Sequence, residues 1–295
     1  MATLTTRQPL PLTRDLALAF RLTDATATLL VGSSIAGLLY GPRGWWYDAN
    51  PATLPVFLAQ DVMTLIVGAP LLVGSAVLAR RGSLRALLCW MGAFFYIAYS
   101  YYFYVIGGRF NALFPLYIAI VSMGVYGALA VFSAIDLPRL PERFVRPPLA
   151  LISAFFVVTA LSFAGLWLSV IDQHLVAGTQ LDPVSRVVIA IDGVVLLPLL
   201  FYGGRALARR EPIGYALAAL LLVKATATFL TLIVDTAIAR RWGHSTDGLQ
   251  TFAYGVGLVG ALTLLVWFLE CVITDATPSG NQPVEGDEET RDACR

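Results

Sequence analysis

Residues 213–237 read IGYALAALLLVKATATFLTLIVDTA. A hydrocarbon core about 30 Å thick is crossed by roughly 20 apolar residues wound as a helix, and this run is long enough to do it. It carries two charges, Lys224 about midway and Asp235 near its end. Outward from it the chain repeats the pattern, with apolar runs at about 22–40, 56–79, 85–106, 112–135, 149–171, 185–204 and 250–273. The gaps are short and hold breakers and arginines, as in Gly41-Pro42-Arg43-Gly44, Arg80-Arg81-Gly82-Ser83 and Arg210-Glu211-Pro212. The expected fold is all-α: a polytopic membrane helical bundle with about eight transmembrane helices. Residues 1–21 are expected to be a cytoplasmic N-terminal segment and 22–275 the transmembrane domain. Residues 276–295, rich in acids such as Glu285, Asp287, Glu288 and Glu289, are expected to be a disordered cytoplasmic tail.

Composition agrees. Hydrophobic residues make up 58% of the chain and charged residues 13%, where a soluble domain has about 25% charged. Mean hydropathy is +0.74. Even soluble proteins keep a polar surface, so the missing charge implies a surface that faces lipid. The formal net charge of +1 gives no electrostatic case for nucleic acid as a partner. The three cysteines, Cys89, Cys271 and Cys294, form no CxxC pair. The two histidines, His174 and His244, fall in expected loops. Disulfide frameworks, zinc, haem and iron–sulfur sites need more ligands at fixed spacings, so no cofactor and no metal is expected. Phosphate-binding GxxxxGK[ST], nucleophile-elbow GxSxG and acidic prenyltransferase patterns are absent from the sequence. The first apolar run has no small-residue cleavage site before Tyr40 and is read as retained.

Arginine placement orients the bundle, because cytoplasmic loops are enriched in Lys and Arg. The N-terminus has Arg7, Arg14 and Arg21; the second loop Arg80, Arg81 and Arg85; the fourth Arg139, Arg143 and Arg146; the sixth Arg205, Arg209 and Arg210. The odd loops hold Arg43, Arg109, Arg186 and the pair Arg240–Arg241, which weakens the alternation at the seventh. Both termini are expected in the cytoplasm of a bacterial cell, and the multi-pass chain in its plasma membrane. The arginine-rich, nearly lysine-free composition suggests a GC-rich bacterial genome. Trp45, Trp46, Tyr47 and Trp242 in outer loops fit an interfacial aromatic belt.

A weak internal repeat points to two four-helix halves. Leu78-Ala79-Arg80-Arg81 after the second span echoes Leu207-Ala208-Arg209-Arg210 after the sixth. Each of those spans has an aspartate near its start, Asp61 and Asp192, and a proline inside it, Pro70 and Pro198. Pro115 is read as lying within the fourth span.

The candidate site comes from the cost of charge in lipid. Lys224 is the only lysine in the chain and lies about eleven residues into its span, roughly 16 Å deep. A lone charge at that depth costs on the order of 3 kcal/mol or more, so Lys224 is expected to face the bundle interior. Asp192 is its expected partner, with Asp61 beside Gln60 at a similar depth. Asp24 enters from the opposite end of the first span. Tyr96 and Tyr99, three apart on the third span, share a face at that level. Arg109 and Asn111 follow at the outer mouth. Tyr101, Tyr102 and Tyr104 read as an interfacial belt, and Asp235 and Glu270 as span-end residues that reach the interface.

The segment Tyr104-Val105-Ile106-Gly107-Gly108-Arg109-Phe110-Asn111-Ala112-Leu113-Phe114, the Asp192–Pro198 stretch and the Lys224 region resemble uncharacterised multi-spanning bacterial membrane proteins. The resemblance covers most of spans two to eight and implies no activity. A lysine in a seventh apolar segment is also where retinal attaches in rhodopsins, but eight spans and the lack of any other retinal-pocket pattern weigh against that. The favoured function is transport of a small molecule or ion through a polar Asp/Lys/Tyr site. One alternative is a cofactor-independent membrane enzyme working by acid–base isomerisation or cyclisation on a lipid-soluble substrate. Another is a scaffold or sensor subunit in which the charges only fix packing. Expected partners are the lipid bilayer and a small or lipid-soluble ligand.

Overall fold

The computed structural model describes residues 10–43 and 54–273. Trp45, Trp46 and Tyr47 and the acidic tail lie outside the described residues. Eight helices are long and apolar enough to cross a membrane: α1 (Ala17–Arg43), α2 (Leu54–Arg80), α3 (Leu84–Ile106), α4 (Phe114–Ala134), α5 (Leu149–Ala177), α6 (Pro183–Ala208), α7 (Pro212–Arg241) and α8 (Gly248–Glu270). The all-α polytopic bundle expected from hydropathy is what the chain forms. Two ends differ most from expectation. The first helix begins at Ala17 rather than 22, with the Asp15 carboxylate accepting from the Ala17 N–H at 3.0 Å. The fifth runs to Ala177 rather than 171 and stops at Gly178, whose φ of 65° suits glycine. His174 is therefore in the last turn of α5 and not in a loop, its ring nitrogen 2.9 Å from the Val170 carbonyl. Apolarity marks where a helix leaves lipid, not where its backbone stops winding.

Local chemistry starts several helices. Ser83 caps α3 by accepting from the Ala86 N–H, Asp182 caps α6 from Ser185, and Asp247 caps α8 from Leu249. Pro115 sits in the first turn of α4, where its missing N–H costs nothing, rather than as a kink inside the span. Pro70 and Pro198 do break their helices. Each follows a widened π turn, Thr64–Gly68 in α2 and Asp192–Leu196 in α6. The Ala69 N–H reaches back to the Thr64 carbonyl and the Leu197 N–H to that of Asp192, five residues in each case. A proline cannot donate to the preceding turn and its ring pushes that carbonyl away, so an extra residue is accommodated there.

The two halves are packed alike. In the first, α1 lies against α2 and α4, and α3 against α2 and α4; in the second, α5 lies against α6 and α8, and α7 against α6 and α8. The wide turns stand 128 residues apart, and so do Pro70 and Pro198. In this register Asp192 matches Thr64, so Asp61 and Asp192 are not equivalents as the sequence suggests. Four crossings return a chain to the end it left, which makes the halves parallel. They meet along α3 and α7, with α2 against α7 and α6 against α3. These two central helices are the most enclosed, 78% and 61% buried over their apolar windows, against 17% for α5 and 11% for α8. At Gly92 the seam is tight: a Cβ would stand 2.6 Å from that of Val223. The peripheral helices instead turn large apolar side chains outward, among them Val158, Leu168, Val194 and Phe252. Such a surface is stable only in lipid.

Candidate functional site

One end of the bundle is closed by backbone. Thr13 donates to the Ala134 carbonyl at 2.8 Å, Val145 to that of Cys271 at 2.8 Å, and the Arg85 guanidinium to that of Val272 at 3.1 Å. The N-terminal segment, the second and fourth loops and the end of α8 thus share this end, and the odd-numbered loops lie at the other. In the half nearer the odd loops is a partly open cavity of about 140 Å³. Both halves of the protein line it. The first contributes Val56 and Gln60 from α2 with Tyr96, Tyr99, Ser100 and Phe103 from α3. The second contributes Phe163 and Trp167 from α5, Val188 and Asp192 from α6, a strip of α7, and Tyr254 from α8.

The polar centre is built around Tyr99. Lys224 is 3% exposed, and its Nζ stands over the Tyr99 ring, 3.8 Å from the centroid. The ring face carries negative charge density and attracts the ammonium. The Tyr99 hydroxyl donates to Oδ1 of Asp192, which is 2% exposed. Trp167 Nε1 donates to the other oxygen, Oδ2, at 2.9 Å. The carboxylate is thus compensated by two neutral donors on two different helices. The wide turn of α6 begins at Asp192 and sets the direction of this side chain. No ion pair within 4.0 Å joins Lys224 to Asp192 among the described residues: the two instead meet different parts of one side chain, the ring and the hydroxyl of Tyr99. Lys224 Nζ likewise has no hydrogen-bond acceptor there. Beside this centre the Tyr96 hydroxyl is 3.0 Å from Thr231 Oγ1 and accepts from Gln60 Nε2 at 3.5 Å.

Of the expected site residues, Lys224, Asp192, Tyr96, Tyr99 and Gln60 meet at the cavity. Asp61 does not. It accepts from the Tyr104 hydroxyl at 3.0 Å within the first half, where the Tyr101 hydroxyl sits 3.0–3.1 Å from Ser33 and Ser34. Tyr101 and Tyr104 are 1% and 2% exposed, so they are core residues and not an interfacial belt. Asp24 is exposed on α1 outside the cavity. Arg109 is exposed beyond the end of α3. Asn111 builds the turn into α4, accepting from the Leu113 N–H at 2.8 Å and donating to the Arg109 carbonyl at 3.1 Å. Asp235, read from sequence as an interfacial acid, lines the cavity with a buried Oδ1 that has no hydrogen-bond partner among the described residues. Sequence reasoning also missed Trp167, Thr228 and Tyr254. A signal was present for part of this: Lys224, Thr228, Thr231 and Asp235 follow an i, i+4, i+7, i+11 spacing, a single helix face.

Comparison with known proteins returns nothing: no family model, no curated protein and no solved structure matches the chain. The site is therefore read from its own chemistry. Among the described residues no three His, Cys, Asp or Glu side chains converge as metal ligands would.

Proposed function

We propose that this chain is a transport protein of a bacterial cytoplasmic membrane, with its odd loops outward, and that a small molecule binds beside Lys224. The observation that carries this reading is the position of the charges on the seam. Tyr99 comes from the first half, while Asp192 and Lys224 come from the second. Parallel repeats in transporters place substrates at the repeat interface, and helices broken near that level let one half move against the other. A shift along the α3–α7 seam would alter the contacts of both charges with Tyr99 together. Occupancy of the cavity and the arrangement of the halves would then depend on each other. A purely structural ion pair has less need of a lining cavity, and apolar packing would serve stability as well.

The test works before the substrate is identified. Membrane vesicles or cells carrying wild-type protein are compared with those carrying Lys224→Met at matched abundance and melting temperature. We expect at least one small molecule to redistribute across the membrane in the wild type only. If every solute distributes identically in the two, Lys224 has no part in transport and the reading fails.

A further inference from the structure

Four threonines on α7 are half-buried, and three of them satisfy their own hydroxyls. Thr226, Thr231 and Thr236 each donate to the carbonyl four residues earlier, at 2.8 Å. That local bond is the usual resting state of a hydroxyl on a helix in apolar surroundings. Thr228 departs from it: it lines the cavity and makes no hydrogen bond among the described residues. Lys224 is one turn away on the same face, and its Nζ also lacks an acceptor. The cavity therefore holds an ammonium and a hydroxyl on adjacent turns, and neither makes a hydrogen bond among the described residues, the ammonium resting only against the Tyr99 ring.

The complement of that pair is a group with two adjacent acceptor oxygens and one negative charge. Asp192 does not occupy it: its oxygens accept from Tyr99 and Trp167, and among the described residues no hydrogen bond joins it to Lys224 or Thr228. A phosphate or sulfate dianion would need a second cation, and Lys224 is the only basic residue among those lining the cavity. The remaining walls are apolar or aromatic, with Phe163 and Val188 among them. The volume of about 140 Å³ is close to that of an engineered cavity which accepts benzene, about 150 Å³. Asp235 lies on the same face about 16 Å further along the helix axis. Its unpartnered oxygen opposes a second negative group.

The geometry points to a monocarboxylate with a compact apolar or aryl body as the ligand of this cavity, its carboxylate on Lys224 Nζ and Thr228 Oγ1. The assignment rests on the cavity being the substrate site proposed above. Such an acid can arrive from water or, as a fatty acid, from the bilayer. The head chemistry is the same and the body differs.

Purified full-length protein is titrated with radiolabelled phenylacetate, then challenged with laurate and with phenylenediacetate. Saturable phenylacetate binding is expected. Lys224→Met should weaken it by about 30-fold or more and Thr228→Val by about 5- to 10-fold, the range for losing charged and neutral hydrogen bonds. Thr228→Val is nearly isosteric and should keep the wild-type melting temperature, so a folding defect cannot imitate the result. Asp235→Asn should admit phenylenediacetate, which the wild type rejects. Laurate that displaces phenylacetate assigns the natural ligand to the bilayer; laurate without effect assigns it to the aqueous side. The assignment is overturned if neither acid binds, or if both variants bind as wild type does. Binding as expected with no redistributed solute would remove the transport reading and leave the ligand class standing. Redistribution of amines or neutral solutes alone, with no carboxylate bound, would do the reverse.

Discussion

Tyr99 has two neighbours of opposite sign, an ammonium under its ring and a carboxylate at its hydroxyl. Single substitutions separate the two contacts. Tyr99→Phe keeps the ring and removes a donor from the buried Asp192, which should lower stability by about 1–3 kcal/mol. Tyr99→Leu should lower it further, since the ammonium then loses about 0.5–2 kcal/mol of ring attraction as well. In an Asp192→Asn background the Tyr99→Phe loss should shrink by half or more. Thermal unfolding of the four proteins in detergent gives this coupling, and an undiminished loss would mean that hydroxyl and carboxylate do not interact energetically. The residues of this centre were largely legible in the sequence, because charge and depth can be read along one helix. Their arrangement was not. Which ring touches both charges depends on how three helices are rotated about their axes, and no spacing within a single helix records that. Trp167 was missed for the same reason: it carries no charge and marks itself only by the partner it finds.

At the scale of the helix, Asp182 gives a pH-dependent contribution. It caps α6 from outside the membrane-spanning segment, accepting from the Ser185 N–H at 3.0 Å. Burial works against its charged form, but hydrogen bonds from Ser185 and Val184 outweigh that and hold its pKa below the ordinary value of 3.8. A carboxyl depressed on folding stabilises fully above its unfolded pKa and loses that contribution as pH falls through the folded value. Asp182→Ala should therefore cost about 0.5–2 kcal/mol near neutral pH and progressively less below about pH 4. A difference in melting temperature that stays constant down to pH 2 would contradict the sign. A second element-scale expectation concerns Gly92. Adding a side chain there drives Cβ into Val223 between two helix backbones, so Gly92→Val should cost about 1–3 kcal/mol by overpacking. Chemical denaturation in mixed micelles would show it, and a neutral result would mean that the seam yields at this point. Helix number and span positions were legible to within a few residues, because apolar run length is set by bilayer thickness. The wide turns were not. Pro70 and Pro198 announced a disturbance, but whether a helix kinks, ends or takes in an extra residue is decided by its neighbours.

Across the molecule, the two similarly packed halves treat buried polarity differently. The first closes much of its own: Tyr104 donates to Asp61, and the Tyr101 hydroxyl bonds with Ser33 and Ser34. The second leaves Lys224, Thr228 and Asp235 facing a cavity. The repeat was visible in the arginine stops, which align one residue away from the register of the wide turns, whereas Asp61 and Asp192 fit neither register and look paired in the sequence only because each lies near the start of its span. Orientation is tested at this same scale. In a cysteine-free background, Thr179→Cys in the fifth loop should react with an impermeant maleimide in intact cells, and Arg209→Cys in the sixth only after permeabilisation. The opposite pattern would invert the bundle. One further consequence follows from a lone lysine lining a cavity. Apart from the chain's α-amino group, a reagent selective for amines and small enough to enter finds a single side-chain amine in the whole sequence. The mass of the peptide bearing residue 224 then counts empty cavities directly, and its unmodified fraction rises with each compound that shields the site. Whole extracts can be screened by that footprint before any solute has been named.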